Sequence, residues 1–461
     1  MPPSVAALLT AGFVLFLLAK ESRAEPRASA ALWIPVLWLS VTGSRFISQW
    51  LALGQGGVDN STEGSPLDAV YFLGLICAAT VVLVRRQVSL WDLARKNAWL
   101  SLFVLYGLLA VLWSDFPFIA TKRWVKTLGH PLVALIILTD NNPTRALCIV
   151  MRRCAYLLLP TSILLIKYYP EYGRGFDAWT GQPMNIGVVL NKNGLGWLCM
   201  VFGLFFVWRL VDGIKEREAK GRTYELVVTL GFLYMVGWLQ YMSNSQTSFV
   251  CLLVGAAFIL GLAPRMLEPR SVGVVIVIGA CAIAGAEALF GFYEDLILLL
   301  GRNATLTDRT EVWADALALQ PNPLFGAGFE SFWLGRRLDM LWEKWWWQPN
   351  QAHNGYIETY LNLGYVGLAL LMAVLLSTFV KACRSLSTDY SFGTYRLAAL
   401  FAIILFNYTE AAFKAVHLVW TVFFIIAIDY PRIVAHASAQ AAPGRAAVDE
   451  ADAAETEGAA R

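Results

Sequence analysis

Twelve apolar runs long enough to cross a lipid bilayer dictate what this chain can become. They lie at 5–19, 31–53, 67–84, 98–113, 154–169, 186–208, 224–242, 246–263, 271–290, 356–380, 394–412 and 415–430, and a shorter run occupies 128–138. A helical crossing needs about 20 mostly apolar residues. In hydrocarbon every backbone N–H and C=O must be satisfied within the chain, so repeated runs of this kind fold as helices. The composition agrees: 15% of residues are charged, against about 25% in a typical soluble domain, and the mean hydropathy is +0.56. The predicted fold class is an all-α integral membrane protein with 12–13 transmembrane helices. The first run, "VAALLTAGFVLFLLA", reads as a short span and not a leader, because no basic residue precedes it and no small-residue cleavage site clearly follows.

Lys and Arg orient the helices. "KESRAEPR" (20–27), "RRQVSLWDLARK" (85–96), "TRALCIVMRR" (144–153), "RLVDGIKEREAKGR" (209–222), "PRMLEPR" (264–270) and "KACRSLSTDYSFGTYR" (381–396) form one basic set. By the positive-inside rule they face the cytoplasm. The alternate segments 54–66, 114–127, 167–185, 243–245, 291–355 and 413–415 then face outward. The alternation closes when 128–138 counts as a crossing, giving thirteen helices with the N-terminus outside and the C-terminus inside. The chain divides into N-terminal helices (1–290), one large outside loop subdomain (291–355) and C-terminal helices (356–430). A tail (437–461), Ala-rich, acidic and poor in large apolar residues, is expected to be disordered.

Several outward segments are basic where the rule disfavours it. Lys122, Arg123 and Lys126 lie in "WSDFPFIATKRWVKTLGH", Lys192 in "GVVLNKNGLG", Arg302 and Arg309 in "GRNATLTDRTEVW", and Arg336 and Arg337 in "LGRR". An anionic ligand handled on that side accounts for them, since guanidinium grips phosphate oxygens in a bidentate fork. The plainer alternative pairs them with Asp115, Asp308, Glu311 or lipid phosphate. Arg309 is the sharpest case, because it stands where a helix starts, with Thr307 or Asp308 as N-cap, and helix N-termini already favour anions.

The chain has four histidines, and His353 begins "HNGYIETYLNLGYVG" (353–367), which runs on into an apolar segment. At about 100° per residue, Gly364 lies about 20° from His353 around a continuous helix and Gly367 about 40° to the other side. One face would thus carry the histidine at its mouth and two glycines that admit a neighbouring helix. Asn350 or Asn354 is expected to cap it. His353 is then a candidate general base or acceptor-orienting group; the ordinary alternative is an interfacial histidine bonded to a neighbour. His130, His417 and His436 are weaker candidates. Trp342, Trp345, Trp346 and Trp347 suit either sugar stacking or an interfacial aromatic belt.

Other chemistries find little support. No two His, Asp or Cys residues show metal-ligand spacing within a segment, so no metal is expected. No phosphate-binding glycine loop is present, so nucleotide chemistry has no support. The net charge of +3 is too small to suggest nucleic acid, and the seven cysteines sit in or beside apolar runs, where no disulfide framework is expected.

The residues from 353 to 367 resemble the signature helix of the O-antigen ligase and polymerase superfamily of bacterial envelope glycosyltransferases: His, then Asn, Ser or Gln, nine residues, Gly, two residues, and Gly, Thr or Tyr. "GRNATLTDRTEVWADALALQPNPLFGAGFESFW", "WSDFPFIATKRWVKTLG", "NKNGLG" and "NYTE" (407–410) resemble its exopolysaccharide-polymerase branch, and the likeness covers roughly 30–430. The resemblance implies a C-type glycosyltransferase-like membrane fold that needs neither metal nor cofactor. It implies a polyprenyl-diphosphate-linked oligosaccharide as donor and a glycan or lipid-linked acceptor. It also implies membrane lipid and other polysaccharide assembly proteins as partners, a place in the bacterial inner membrane, and an active site facing the periplasm. His353 matches the family histidine and Arg309 the loop arginine, which makes them the catalytic candidates. Arg302, Lys192, Lys122, Arg123, Gln246, Asn354 and Arg336 are the substrate-binding candidates. Many ligases carry Arg in a "Ser-Arg-Thr" type segment where this chain has Gln246, so Lys192, Lys122 or Arg123 would supply that cation. The implied reaction is inverting glycan polymerisation, with ligation to lipid A core or protein as the alternative. From another class, a transporter of the lipid-linked glycan also suits the helix number.

Overall fold

The computed structural model describes residues 1–52, 64–176, 181–215, 222–291 and 309–430. Eight of its helices are long and apolar enough to cross a membrane: Pro3–Ala24, Pro66–Arg85, Pro143–Tyr168, Lys192–Lys215, Arg222–Ser243, Val272–Leu289, Gly355–Thr388 and Tyr390–Thr409. Ala30–Thr42, Ala98–Leu109, Gln246–Leu262 and Leu418–Ala427 are shorter apolar helices. The weakest apolar run of the sequence is the helix Gly129–Leu138, joined through the helical residue Leu128 to the amphipathic helix Pro117–Thr127. Among the described residues the strands form a single antiparallel pair, with Arg174 opposite Asn185 and Phe176 opposite Pro183. The protein is an all-α integral membrane protein.

Contacts among the basic segments bring them to one side of the helix bundle. Arg153 Nε lies 2.8 Å from Glu21 Oε2, tying the end of the first helix to the N-terminal half of Pro143–Tyr168. Arg209 Nη2 lies 2.9 Å from Glu225 Oε1, Arg396 Nη2 2.9 Å from Asp429 Oδ1, and Lys381 Nζ donates to Asn97 Oδ1 at 2.6 Å. Arg86 Nη1 donates to Thr139 Oγ1 at 2.8 Å, which sets the end of Gly129–Leu138 on the same face. These members of the basic set thus form one rim in which Arg153, Arg209 and Arg396 are neutralised by carboxylates. Arg153 and Glu21 are each 5% exposed, so removing Glu21 would strand the buried Arg153 charge at a cost of about 3–5 kcal/mol, whereas Glu21 keeps Arg152 at 3.3 Å if Arg153 is lost.

One long apolar run is not one helix. The helix within 31–53 stops at Thr42, and the chain restarts helically only at Ile47–Leu51. A Cβ at Gly43 would meet Leu158 Cδ1 at 3.0 Å, and Ser44 turns its hydroxyl back to the Ser40 carbonyl at 2.7 Å. Apolar content hides this turn because Trp50 and Leu51 continue the hydropathy beyond it.

Described residues of the segment 309–355 fold around tryptophans. The helices Arg309–Ala318 and Arg336–Lys344 contribute Ala316 and Leu341 to a small core with Phe332, Ala352 and Leu361. Trp313 Nε1 donates to the Ala352 carbonyl at 2.6 Å, Trp345 Nε1 to Asp315 Oδ2 at 2.9 Å, and Trp342 Nε1 to the Pro349 carbonyl at 3.0 Å. These rings hold the subdomain together. Arg302, Thr307 and Asp308, and the tail 437–461, lie outside the described residues.

The expected single face of His353, Gly364 and Gly367 does not exist. His353 precedes the helix, with φ +50°, and Gly364 breaks it with φ +64°. The loop 323–328 laces into the break: Tyr365 N–H donates to the Pro323 carbonyl at 2.9 Å and Ala327 N–H to the Leu361 carbonyl at 3.0 Å. A Cβ at Gly364 would lie 2.3 Å from the backbone of Leu324. The glycine spacing therefore serves a helix break clamped by a loop, and not an approach of two membrane helices.

Candidate active site between two helix ends

Two helix ends meet on the face opposite the neutralised rim. Asn354 caps Gly355–Thr388, its Oδ1 accepting from Tyr356 N–H at 2.9 Å and Ile357 N–H at 3.1 Å. Its Nδ2 donates across to the Tyr408 carbonyl at 2.9 Å, and Gly355 N–H donates to the Glu410 carbonyl at 3.1 Å. A Cβ at Gly355 would lie 2.3 Å from Asn407 Oδ1, so glycine is needed for this closeness. The start of one helix is thus zipped to the end of the next, and His353 stands beside Glu410.

Glu410 gathers three partners. His353 Nδ1 lies 3.3 Å from its Oε2, Arg309 Nη2 lies 3.4 Å from its Oε1, and Asn193 Nδ2 donates to Oε1 at 2.7 Å. Arg309 Nη1 also donates to the Thr409 carbonyl. Burial pushes the Glu410 carboxyl up, but the hydrogen bond and charge of His353 and those of Arg309 outweigh it and hold the group below the ordinary 4.5. The carboxylate therefore stays ionised near neutral pH and accepts from His353 Nδ1–H, which puts the ring's lone pair on Nε2, where an acceptor hydroxyl would replace the long Gln351 contact.

A cavity of about 250 Å³ adjoins this cluster, lined among others by His353, Glu410, Lys414, His417, Asn193 and Trp197. Lys414 donates to Gln351 Oε1, and the Gln351 amide Nε2 lies 3.4 Å from His353 Nε2, the nitrogen that can accept from it. His130, fully buried, bridges Thr421 Oγ1 at 2.8 Å and the Lys414 carbonyl at 3.3 Å. A larger hollow of about 330 Å³, lined by Trp113, Asp115 and Phe325, contains none of the histidines. The chemistry of its walls makes the smaller cavity the candidate.

The structure brings His353 and Arg309 together through Glu410, with Asn354 holding the helix ends in register. Lys192 starts the helix Lys192–Lys215, between the cavity-lining residues Asn191 and Asn193. Lys122, Arg123, Gln246 and Arg336 do not line the cavity. Lys122 Nζ sits 4.9 Å over the Phe118 ring, Arg123 Nη1 donates to the Glu330 carbonyl, and Gln246 Nε2 reaches Asn244 Oδ1 at 3.5 Å. Arg336 is exposed at the start of its helix. Arg337 pairs with Asp115 at 2.8 Å, as the plainer reading of the outside charges proposed.

Sequence reading did not single out Glu410, Asn193, Gln351 or Lys414 as site residues. Lys414 carried the same signal as the others, a cation in an outward segment, but in a loop of three residues. Glu410 had a signal too, as an acid inside the apolar run 394–412.

Residues 230–372 match the O-antigen ligase family, a stretch that contains Arg309 and His353 and ends before Glu410. The chain is also 27% identical over 302 residues to "Exopolysaccharide production protein ExoQ" of Rhizobium meliloti (strain 1021). That match covers 63% of this chain and 66% of the relative, so it spans just under two thirds of the relative's length.

Proposed function

The chain belongs to the O-antigen ligase/polymerase superfamily, and on that premise we propose that it joins polyprenyl-diphosphate-linked glycan units into a polysaccharide at the outer face of a bacterial inner membrane. The observation that carries this reading is the convergence of His353 and Arg309 on Glu410 at the wall of one cavity.

In the proposed step an acceptor sugar hydroxyl gives its proton to His353 Nε2. Its oxygen attacks the anomeric carbon of the donor as the bond from that carbon to the diphosphate oxygen breaks. The polyprenyl diphosphate departs with the electron pair, and in-line attack inverts the anomeric centre. Glu410 holds the imidazole through Nδ1 and stabilises the imidazolium, the arrangement used wherever a carboxylate orients a histidine base. Arg309 fixes Glu410 and adds positive potential near the developing anion. The relative's printed role in exopolysaccharide production favours polymerisation over ligation.

The test is to give the purified protein a defined lipid-linked oligosaccharide. Longer lipid-linked chains support the polymerase. Transfer to lipid A core or protein replaces it with the ligase. Flipping of the lipid without any joining replaces it with a transporter.

A further inference from the structure

The mechanism above leaves one histidine of the cavity unused. His417 precedes Leu418–Ala427, and its Nδ1 accepts the backbone N–H of Val419 at 3.2 Å. A backbone N–H can only donate, so Nδ1 carries no proton and the neutral ring must carry its hydrogen on Nε2. Among the described residues none accepts from Nε2, and that atom is not sealed in packed protein. The ring rests against Trp197, with centroids 5.1 Å apart. His417 is thus a fixed donor with open space in front of it, and it cannot act as a base through Nδ1 without losing its helix cap.

Lys414 stands on the same cavity. It reaches the neutral Gln351 Oε1, and no described carboxylate lies within 4.0 Å of its ammonium. Glu410, the carboxylate on this cavity, already has Arg309 and His353. The cavity therefore presents the Lys414 ammonium with no carboxylate of its own lining paired to it, while the buried Glu358 lies near enough to feel the charge. The 24-residue helix Lys192–Lys215 also begins here, where Asn191 Oδ1 accepts Gly194 N–H at 2.7 Å, and its N-terminal dipole end adds to that potential. Burial, and then the neighbouring charge of Lys414, holds the His417 imidazole down to about 3, which agrees with a permanently neutral ring.

We propose that the His417 Nε2–H and the Lys414 ammonium form an anion subsite that grips the diphosphate of the donor lipid, on a different part of the cavity wall from the proton-transfer cluster of His353, Glu410 and Arg309. The proposal rests on the reading of the chain as a user of lipid diphosphates. It divides the two accessible imidazoles by tautomer: His353 offers a lone pair to the acceptor hydroxyl, and His417 offers a hydrogen to the leaving group.

The test measures binding of farnesyl diphosphate, with farnesol as the uncharged control, to the purified full chain in detergent. His417→Asn keeps a good N-cap residue but is too short to present the donor, and Lys414→Gln keeps length while removing charge. Both variants are expected to bind farnesyl diphosphate about tenfold or more weakly, as for loss of a hydrogen bond to a charged group, with farnesol binding unchanged. His417→Phe, which retains the ring against Trp197, is expected to match His417→Asn. Wild-type affinity in His417→Asn and His417→Phe overturns the subsite and leaves the transfer reading intact. Absence of diphosphate-dependent binding in the wild type overturns both. An equal loss of farnesol binding shows a general disturbance of the cavity and also overturns the subsite.

Discussion

His353 Nδ1 and Glu410 Oε2 lie 3.3 Å apart although 57 positions separate them in the chain. Neither residue belongs to a regular helix: His353 precedes one with φ +50°, and Glu410 is the C-cap of another. The pairing is built by the backbone, through Gly355 N–H on the Glu410 carbonyl and the Asn354 side chain on Tyr408. A histidine held by an ionised carboxylate and open to a cavity is a base with one defined tautomer.

Glu410→Gln is expected to lower glycan joining by about 10²–10⁴-fold, the range over which an oriented base contributes. The carboxyl is depressed in the folded protein, chiefly by His353 and Arg309 acting against burial. A depressed acid stabilises the fold fully above its ordinary value of 4.5 and loses that contribution as pH falls through the folded value. Thermal unfolding in detergent should therefore lose stability below that value in the wild type and show a smaller acid-side loss in Glu410→Gln. Identical acid limbs would refute the coupling.

Arg309 makes two contacts in two directions, to the Thr409 carbonyl and to Glu410 Oε1. An ammonium cannot reproduce that planar fork. Arg309→Ala is expected to reduce the rate by at least about a hundredfold, and Arg309→Lys to recover only part of it. Initial rates with a lipid-linked oligosaccharide measure this. Full recovery by lysine would mean that charge alone is needed at this position.

Sequence was informative where local chemistry decides the outcome. Runs of apolar residues announced the helices, and the Lys and Arg of the basic set lie on one rim because charge cannot rest in lipid. His353 and Arg309 were legible as residues out of place. The pairing itself was not, because periodicity says nothing about a contact between helix ends 57 residues apart. The helix-face argument failed for a definite reason: it needs a continuous helix from 353 to 367, and positive φ at His353 and Gly364 interrupts it at both ends. The run 31–53 misled likewise, since hydropathy does not register a turn after Gly43.

Gly364→Ala tests the laced break. The new Cβ would meet Leu324 backbone at 2.3 Å, and φ +64° is unfavourable for alanine. The expected loss is more than about 2 kcal/mol of stability, read as a lowered unfolding temperature. Gly285→Ala is the control, since a Cβ there meets nothing within 4 Å, and it is expected to be neutral. An equally harmless Gly364→Ala would show that the 323–328 loop does not hold the break.

The cations of the segments read as outward from the sequence should separate by what they touch. Lys122 lies over the Phe118 ring and Arg336 is exposed, so alanine at either is expected to leave the joining rate within about threefold of wild type, as for ordinary surface charges. Arg123 differs. It donates to the Glu330 carbonyl, and Glu330 Oε1 accepts Ala415 N–H at 2.6 Å, one residue from Lys414. Arg123→Ala therefore loosens the segment that presents Lys414 to the cavity, and a fall of about tenfold is expected from the loss of one charge-assisted hydrogen bond. Initial rates of the three variants decide it. Lys122→Ala as damaging as His353→Ala would move the glycan path onto the Pro117–Thr127 helix and away from the cavity that His353 and Glu410 share.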